Sequence, residues 1–176
     1  MSILAVSGSL QARSSNLSLL QALARELAPL DVTFSRAVHD LPAFNSDLDT
    51  ENPPAAVAAW RSELATAEGV LFATPEYAFG IAGALKNSLD WIVGSGELVN
   101  KPVALLGAST LETGAGLALE ALERTIRVMS ADVTGVLSVP FVRAKVGPDG
   151  AVMDAATSEQ LAQLARGLAA RLAAPS

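Results

Sequence analysis

Four short apolar runs without internal charge, Ile3 to Val6, Val70 to Ala73, Val103 to Leu106 and Val133 to Val139, alternate with amphipathic helical stripes. No other feature restricts the possible fold as strongly. Uncharged runs of this length suit strands buried on both faces of a parallel sheet. The last run is interrupted by Thr134, Gly135 and Ser138, and a weaker fifth strand is expected over Val32 to Ala37. The helical stripes recur at three- and four-residue spacing: Leu20, Leu23, Ala24 and Leu27; Val57, Trp60 and Leu64; Leu85, Ser88, Leu89 and Ile92; Leu119, Leu122, Ile126 and Met129; Leu161, Leu164, Leu168 and Leu172. Thr157 and Gln160 stand in capping-box register and are expected to open the last helix.

The resulting order is βαβαβαβαβα. Right-handed crossovers between neighbouring parallel strands then place helices on both faces, giving an α/β three-layer α/β/α sandwich around a five-stranded parallel sheet. The expected strand order is the flavodoxin-like 2-1-3-4-5, in one domain covering residues 1–176. In that order the switch point lies between the first and third strands, so the loops after Val6 and after Ala73 face each other across one crevice. The loop from Gly107 onward closes its far side.

The formal net charge of -6 argues against nucleic acid or an anionic membrane as the main partner, because both require a basic face. The sequence contains no cysteine, which excludes disulfides, thiolate catalysis and zinc–thiolate sites and agrees with a cytoplasmic location. No apolar run approaches the roughly 20 residues that span a bilayer. The only histidine, His39, lies on a polar stretch away from the expected crevice, and no carboxylate cluster has metal-ligand spacing. A ligand crevice with so few reactive side chains points to a cofactor that carries the chemistry while the protein binds and orients it.

Two loops could build such a site. The first, from Ser7 to Asn16, offers Gly8, the hydroxyls of Ser9, Ser14 and Ser15, the Arg13 guanidinium and the Asn16 amide, all immediately before a helix. Backbone N–H groups and the helix dipole favour a phosphate there, although a glycine turn and a simple helix cap account for the same residues. It is neither a Walker A loop nor a Rossmann glycine pattern. The second loop, TPEYAFGIAG from Thr74 to Gly83, combines Pro75, Gly80 and Gly83 with the aromatic Tyr77 and Phe79. Aromatic groups are poorly placed on a connection that merely meets solvent.

These loops resemble the NAD(P)H-dependent flavin mononucleotide (FMN) reductases, a family that includes chromate, quinone and azo-dye reductases. The family's Gly-Ser-Leu-Arg-x-x-Ser-x-Asn loop is matched by Gly8, Ser9, Leu10, Ser14 and Asn16. Its Pro-Glu-Tyr-Asn motif and the later Gly-x-Leu-Lys-Asn-x-x-Asp-Trp are matched by Pro75, Glu76, Tyr77, Gly83, Leu85, Lys86, Asn87, Asp90 and Trp91. The resemblance implies FMN as cofactor, with Ser9, Ser14, Ser15 and Asn16 on its phosphate and the backbone from Pro75 through Glu76 and Tyr77 to Ala78 along its ring. Ser109 would add a polar contact. It further implies NADPH or NADH as electron donor, a small-molecule acceptor such as a quinone, azo dye, oxidised metal anion or free flavin, and a homodimer or homotetramer.

The chain departs from the family pattern where charge and rigidity matter. Gln11 replaces the usual arginine, leaving Arg13 as the nearby cation, while Ala78 replaces Asn, Gly80 replaces Ser and Ala82 replaces Pro. A flavodoxin-type electron carrier and a flavin-free binding module are therefore alternative readings. Glu76 could face the ring or simply be solvated, and Lys86 with Asp90 forms the i,i+4 pair of an exposed helix. Trp91 falls outside the Leu85-Leu89-Ile92 stripe on a helical wheel, so the helix from Gly83 to Val93 is expected to meet a second subunit.

Overall fold

The computed structural model describes residues 1–174. Its strands and helices follow the apolar runs. Strand β1 (Ser2–Ser7) leads to helix α1 (Ser15–Glu26), β2 (Asp31–Phe34), α2 (Ala55–Thr66) and β3 (Gly69–Thr74). A short hairpin follows, formed by β4 (Glu76–Tyr77) and β5 (Gly80–Ile81), and then α3 (Gly83–Asp90), β6 (Pro102–Ala108), α4 (Gly116–Val128), β7 (Asp132–Val139), the single turn α5 (Val142–Lys145) and α6 (Ala155–Ala173).

The main sheet is parallel, with order β2-β1-β3-β6-β7. Counting only its own strands, this is the expected 2-1-3-4-5. Every residue of β3 and β6 is buried, as their uncharged sequences require. One apolar layer gathers Trp60, Phe72, Leu85, Leu89, Trp91, Leu122 and Ile126 under α2, α3 and α4. The other joins Leu19, Leu23, Leu71, Leu106, Leu161 and Leu168 under α1 and α6.

Three local expectations are corrected. The second strand stops at Phe34 rather than Ala37, because Ser35 donates its N–H to Ala5 and its Oγ accepts from the Ala37 N–H, turning the chain into a 3-10 turn at Ala37–His39. The last helix begins before Thr157. Its N-cap is Asp154, whose carboxylate accepts the Thr157 N–H at 2.8 Å and the Thr157 hydroxyl at 2.6 Å. A carboxylate at that position satisfies an orphan donor and complements the helix dipole.

The third correction concerns Trp91. It is fully buried within its own chain, where Nε1–H donates to the Pro42 carbonyl at 2.9 Å and the ring meets Phe44 edge-on at a centroid distance of 5.0 Å. The helix wheel misplaced it because α3 ends at Asp90 and the segment from Leu41 to Phe44 folds across the helix's outer flank. Asn87 fastens the same segment, accepting the Phe44 N–H at 2.8 Å and donating to the Pro42 carbonyl at 2.9 Å. Trp91 therefore gives no support for a subunit interface.

Candidate functional site

The crevice lies at the carboxyl ends of β1, β3 and β6, where the strand order reverses direction. Its floor depends on Gly8. The Gly8 N–H donates to the Ala73 carbonyl at 2.7 Å, and an added Cβ would stand 2.9 Å from Leu85 Cβ, so only glycine lets the first loop approach α3 this closely. Ser9 is buried and its Oγ accepts the Gln11 N–H at 3.3 Å. Ser14 is the N-cap of α1, with its Oγ accepting from the Leu17 N–H at 3.4 Å. The first helical N–H groups, at Ser15 and Asn16, have no intrahelical acceptor.

The opposite wall is the β4–β5 hairpin. Thr74, fully buried, ties its base by donating to the Pro75 carbonyl at 2.8 Å and accepting the Ala82 N–H at 3.3 Å. Tyr77 pairs with Gly80, leaving Ala78 and Phe79 as a two-residue turn with φ of 48° and 61°. Both lie in the left-handed region, and neither is a glycine or asparagine, so the turn holds backbone strain. Phe79 is 70% exposed at its tip.

Glu76 is not a free loop carboxylate. Its Oε2 accepts the Ala118 N–H at 3.0 Å, in the first turn of α4, and its Oε1 receives the Thr113 hydroxyl at 3.4 Å. The N-cap of α4 is Ala115, which has no side-chain oxygen. Glu76 supplies the missing acceptor from the neighbouring hairpin and so pins that hairpin to α4.

Asn16 performs a similar task on the other side. It is buried, its Oδ1 accepts the Ala108 N–H at 2.9 Å, and its Nδ2–H donates to the Ala108 carbonyl at 3.1 Å. Both ends of the amide thus brace α1 against the end of β6. Ser109, half-buried, accepts the Leu111 N–H on its Oγ at 3.1 Å and presents the rest of that loop to the same space.

A crevice of about 300 Å³ is lined by Ser9, Gln11, Arg13, Ser14, Ser15, Asn16, Pro75, Glu76, Tyr77 and Ser109. The structure thus brings together every expected site residue except Ala78, which sits at the hairpin turn just beyond Tyr77. It adds Ala108, Thr110, Val142 and Arg143, which sequence reading did not select. Ala108 and Thr110 flank Ser109 and were reachable by extending the third loop. Val142 and Arg143 come from the turn after the last strand and carry no motif. Asp90 and Lys86 form the expected i,i+4 ion pair, and His39 is exposed outside the crevice.

The model of the family described as NADPH-dependent FMN reductase matches residues 1–144. The chain belongs to that family. It is 37% identical over 127 residues to an NAD(P)H-dependent FMN reductase of Pseudomonas aeruginosa, an alignment covering 70% of this chain and 68% of the relative. It is 38% identical over 120 residues to a 2-hydroxy-1,4-benzoquinone reductase of a Burkholderia species, covering 66% of this chain and 64% of the relative. Among solved structures, the flavoenzyme NAD(P)H:(acceptor) oxidoreductase FerB of Paracoccus denitrificans superposes with a TM-score of 0.82 at 25% identity, covering 97% of this chain and 96% of that one.

The donor set fits FMN. Its phosphate needs hydrogen-bond donors and positive charge, which the hydroxyls, the free N–H groups of α1 and Arg13 offer at one end of the crevice. Its flat ring needs an apolar wall with a few polar backbone groups, which Pro75, Tyr77 and the hairpin supply at the other.

Proposed function

We propose that the chain is an FMN-dependent oxidoreductase that takes electrons from NADPH or NADH and passes them to a small acceptor of the quinone type. The observation that carries this reading is the meeting of the serine-rich loop and the strained hairpin at the switch point of the sheet. Bound FMN would supply the hydride-accepting ring, with two electrons and a proton arriving from the nicotinamide and leaving, with a second proton from solvent, to give a hydroquinone. The residues of the chain bind and orient.

In this reading Ser9, Gln11, Arg13, Ser14 and Ser15 surround the phosphate, while Asn16 fixes the third loop beside them. The backbone from Pro75 to Ala78 lies along the ring, held by Thr74 and Glu76, and Ser109 adds a polar contact. Tyr77, 53% exposed, borders the open side through which both substrates would enter in turn. Holding the reacting partners against one face of a fixed ring is the main catalytic contribution of such a site.

The whole chain acts as one flavin-binding domain in this reading. An assembly of two or four copies accords with the exposed Phe79, Leu111 and Leu117 along the hairpin and the start of α4. A cytoplasmic setting accords with the cysteine-free sequence. Among the described residues no helix is long and apolar enough to cross a membrane.

The deciding experiment is titration of the purified protein with FMN and riboflavin, followed by anaerobic mixing with NADPH and NADH. Tighter binding of FMN and bleaching of the flavin absorbance by a nicotinamide are expected. Flavin binding without reduction by either donor would replace this reading with a simple electron carrier, and no flavin binding after reconstitution would overturn it.

A further inference from the structure

A phosphate monoester carries close to two negative charges at neutral pH. In this acidic chain the position where the family places an arginine is the neutral Gln11, which nevertheless lines the crevice. The structure brings a different cation to the same wall. Arg143 stands far from the first loop in sequence, yet it lines both this crevice and an adjoining concavity of about 610 Å³ over Ser15, Ser18 and Gln21. Arg13 lines the same two spaces.

The placement of Arg143 is built into the fold. Phe141, with φ of 52°, reverses the chain after β7 and donates its N–H to the Leu111 carbonyl at 3.3 Å. Val142 donates to the Ser109 carbonyl at 3.0 Å and is 3% exposed within the core. The residue that follows is thereby fixed at the rim beside Ser109. Its side chain is also uncommitted. Among the described residues Arg13 and Arg143, like Arg25 and Arg36, make no ion pair with a carboxylate, whereas Arg61, Arg124, Arg127, Arg166 and Arg171 do; of the four, only Arg13 and Arg143 line the crevice. The one carboxylate lining the larger concavity, Asp149, accepts the Ala151 N–H at 3.0 Å and pairs with neither guanidinium, so both remain available to an anion.

We infer that Arg143, together with Arg13, supplies the positive charge of the phosphate end, replacing the guanidinium that Gln11 lacks. The inference rests on the FMN reading above. A cation brought by the turn after β7 also joins the first and last loops of the sheet through the ligand.

The test is binding, followed by flavin fluorescence, of FMN and riboflavin to wild type, Arg143→Ala, Arg143→Lys and the Arg13→Ala/Arg143→Ala double variant. Loss of one charge-assisted contact predicts a rise in the FMN dissociation constant of about tenfold for Arg143→Ala, with riboflavin unaffected. Arg143→Lys should retain part of the preference, and the double variant should lose nearly all of it. Added salt should erode the wild-type preference for FMN more steeply than that of Arg143→Ala. Apo-protein melting checks that the exposed substitution leaves the fold intact. If wild type binds FMN and riboflavin equally, the phosphate site itself is refuted. If wild type prefers FMN and Arg143→Ala keeps the full preference, or weakens both ligands alike, this inference alone is overturned.

Discussion

Asn16 separates two ways in which the first loop could serve the cofactor, and its replacement by alanine gives a measurable answer. The side chain holds Ala108 by two hydrogen bonds of 2.9 and 3.1 Å, and Asn16 and Ala108 are 5% and 3% exposed. Removing the amide leaves a buried N–H and a buried carbonyl without partners, each costing about 1–3 kcal/mol. Water entering from the crevice would recover part of that, so a net loss of about 2–4 kcal/mol is expected. In urea this corresponds to a fall in the unfolding midpoint of about 1–2 M for a domain of this size. The measurement is made on the apo protein, where no ligand contributes to stability. Asn16→Asp should be no better, because it sets a carboxylate oxygen against the Ala108 carbonyl. FMN affinity should fall in both variants, since the loop bearing Ser109 is no longer held against α1. An apo midpoint equal to wild type, combined with weakened FMN binding, would refute the brace and assign Asn16 to direct phosphate contact.

The hairpin strain makes a prediction of opposite sign: Ala78→Gly should raise apo stability by about 1 kcal/mol, because glycine adopts the 48° φ without steric cost. An unchanged or lower urea midpoint would show that the turn is not strained. Trp91→Ala should cost about 3–5 kcal/mol, and Trp91→Phe less, by loss of the Pro42 hydrogen bond. Light scattering is expected to give the same mass for folded Trp91→Phe as for wild type, and a lower mass with unchanged stability would return this residue to a subunit interface. The Asp154 carboxyl is held below its ordinary value of 3.8 by the Thr157 hydroxyl first and the Thr157 N–H second. Its folded pKa is the lower one, so its stabilisation is complete above the unfolded pKa and disappears as pH falls through the folded one. Asp154→Asn should therefore lose less stability than wild type as pH falls from about 5 through the acid range in urea titrations, and parallel curves for the two proteins would contradict this.

Exposed loops and buried strands differed in how legible they were. Uncharged runs such as Val70 to Ala73 and Val103 to Leu106 announced central strands, because only positions covered on both faces dispense with polar residues. Their alternation with helices gave the doubly wound parallel sheet, and the flavodoxin-like order expected for it, which the structure has, set the position of the crevice. Gly8, Ser9, Ser14 and the Pro75 to Tyr77 motif could be found as local patterns, since a helix start and a tight loop are built from neighbours in sequence. Helix periodicity placed the inward residues of α3 but not Trp91, whose cover comes from Pro42 and Phe44 in a segment without periodicity.

The sequence by itself determined the alternating three-layer fold, the family, and the loops at which a ligand would sit, since each depends on composition and spacing within short stretches. What only the tertiary structure decided were the partners of individual polar groups. Glu76 is committed to the Ala118 N–H, Asn16 to Ala108, and Arg143 is brought to the crevice beside the first loop by the turn after the edge strand β7. These contacts join residues distant in the chain, and their energies depend on burial and direction, which a linear pattern does not contain. The same carboxylate or amide is a solvated loop residue, a ligand group or a structural brace according to what the fold places opposite it.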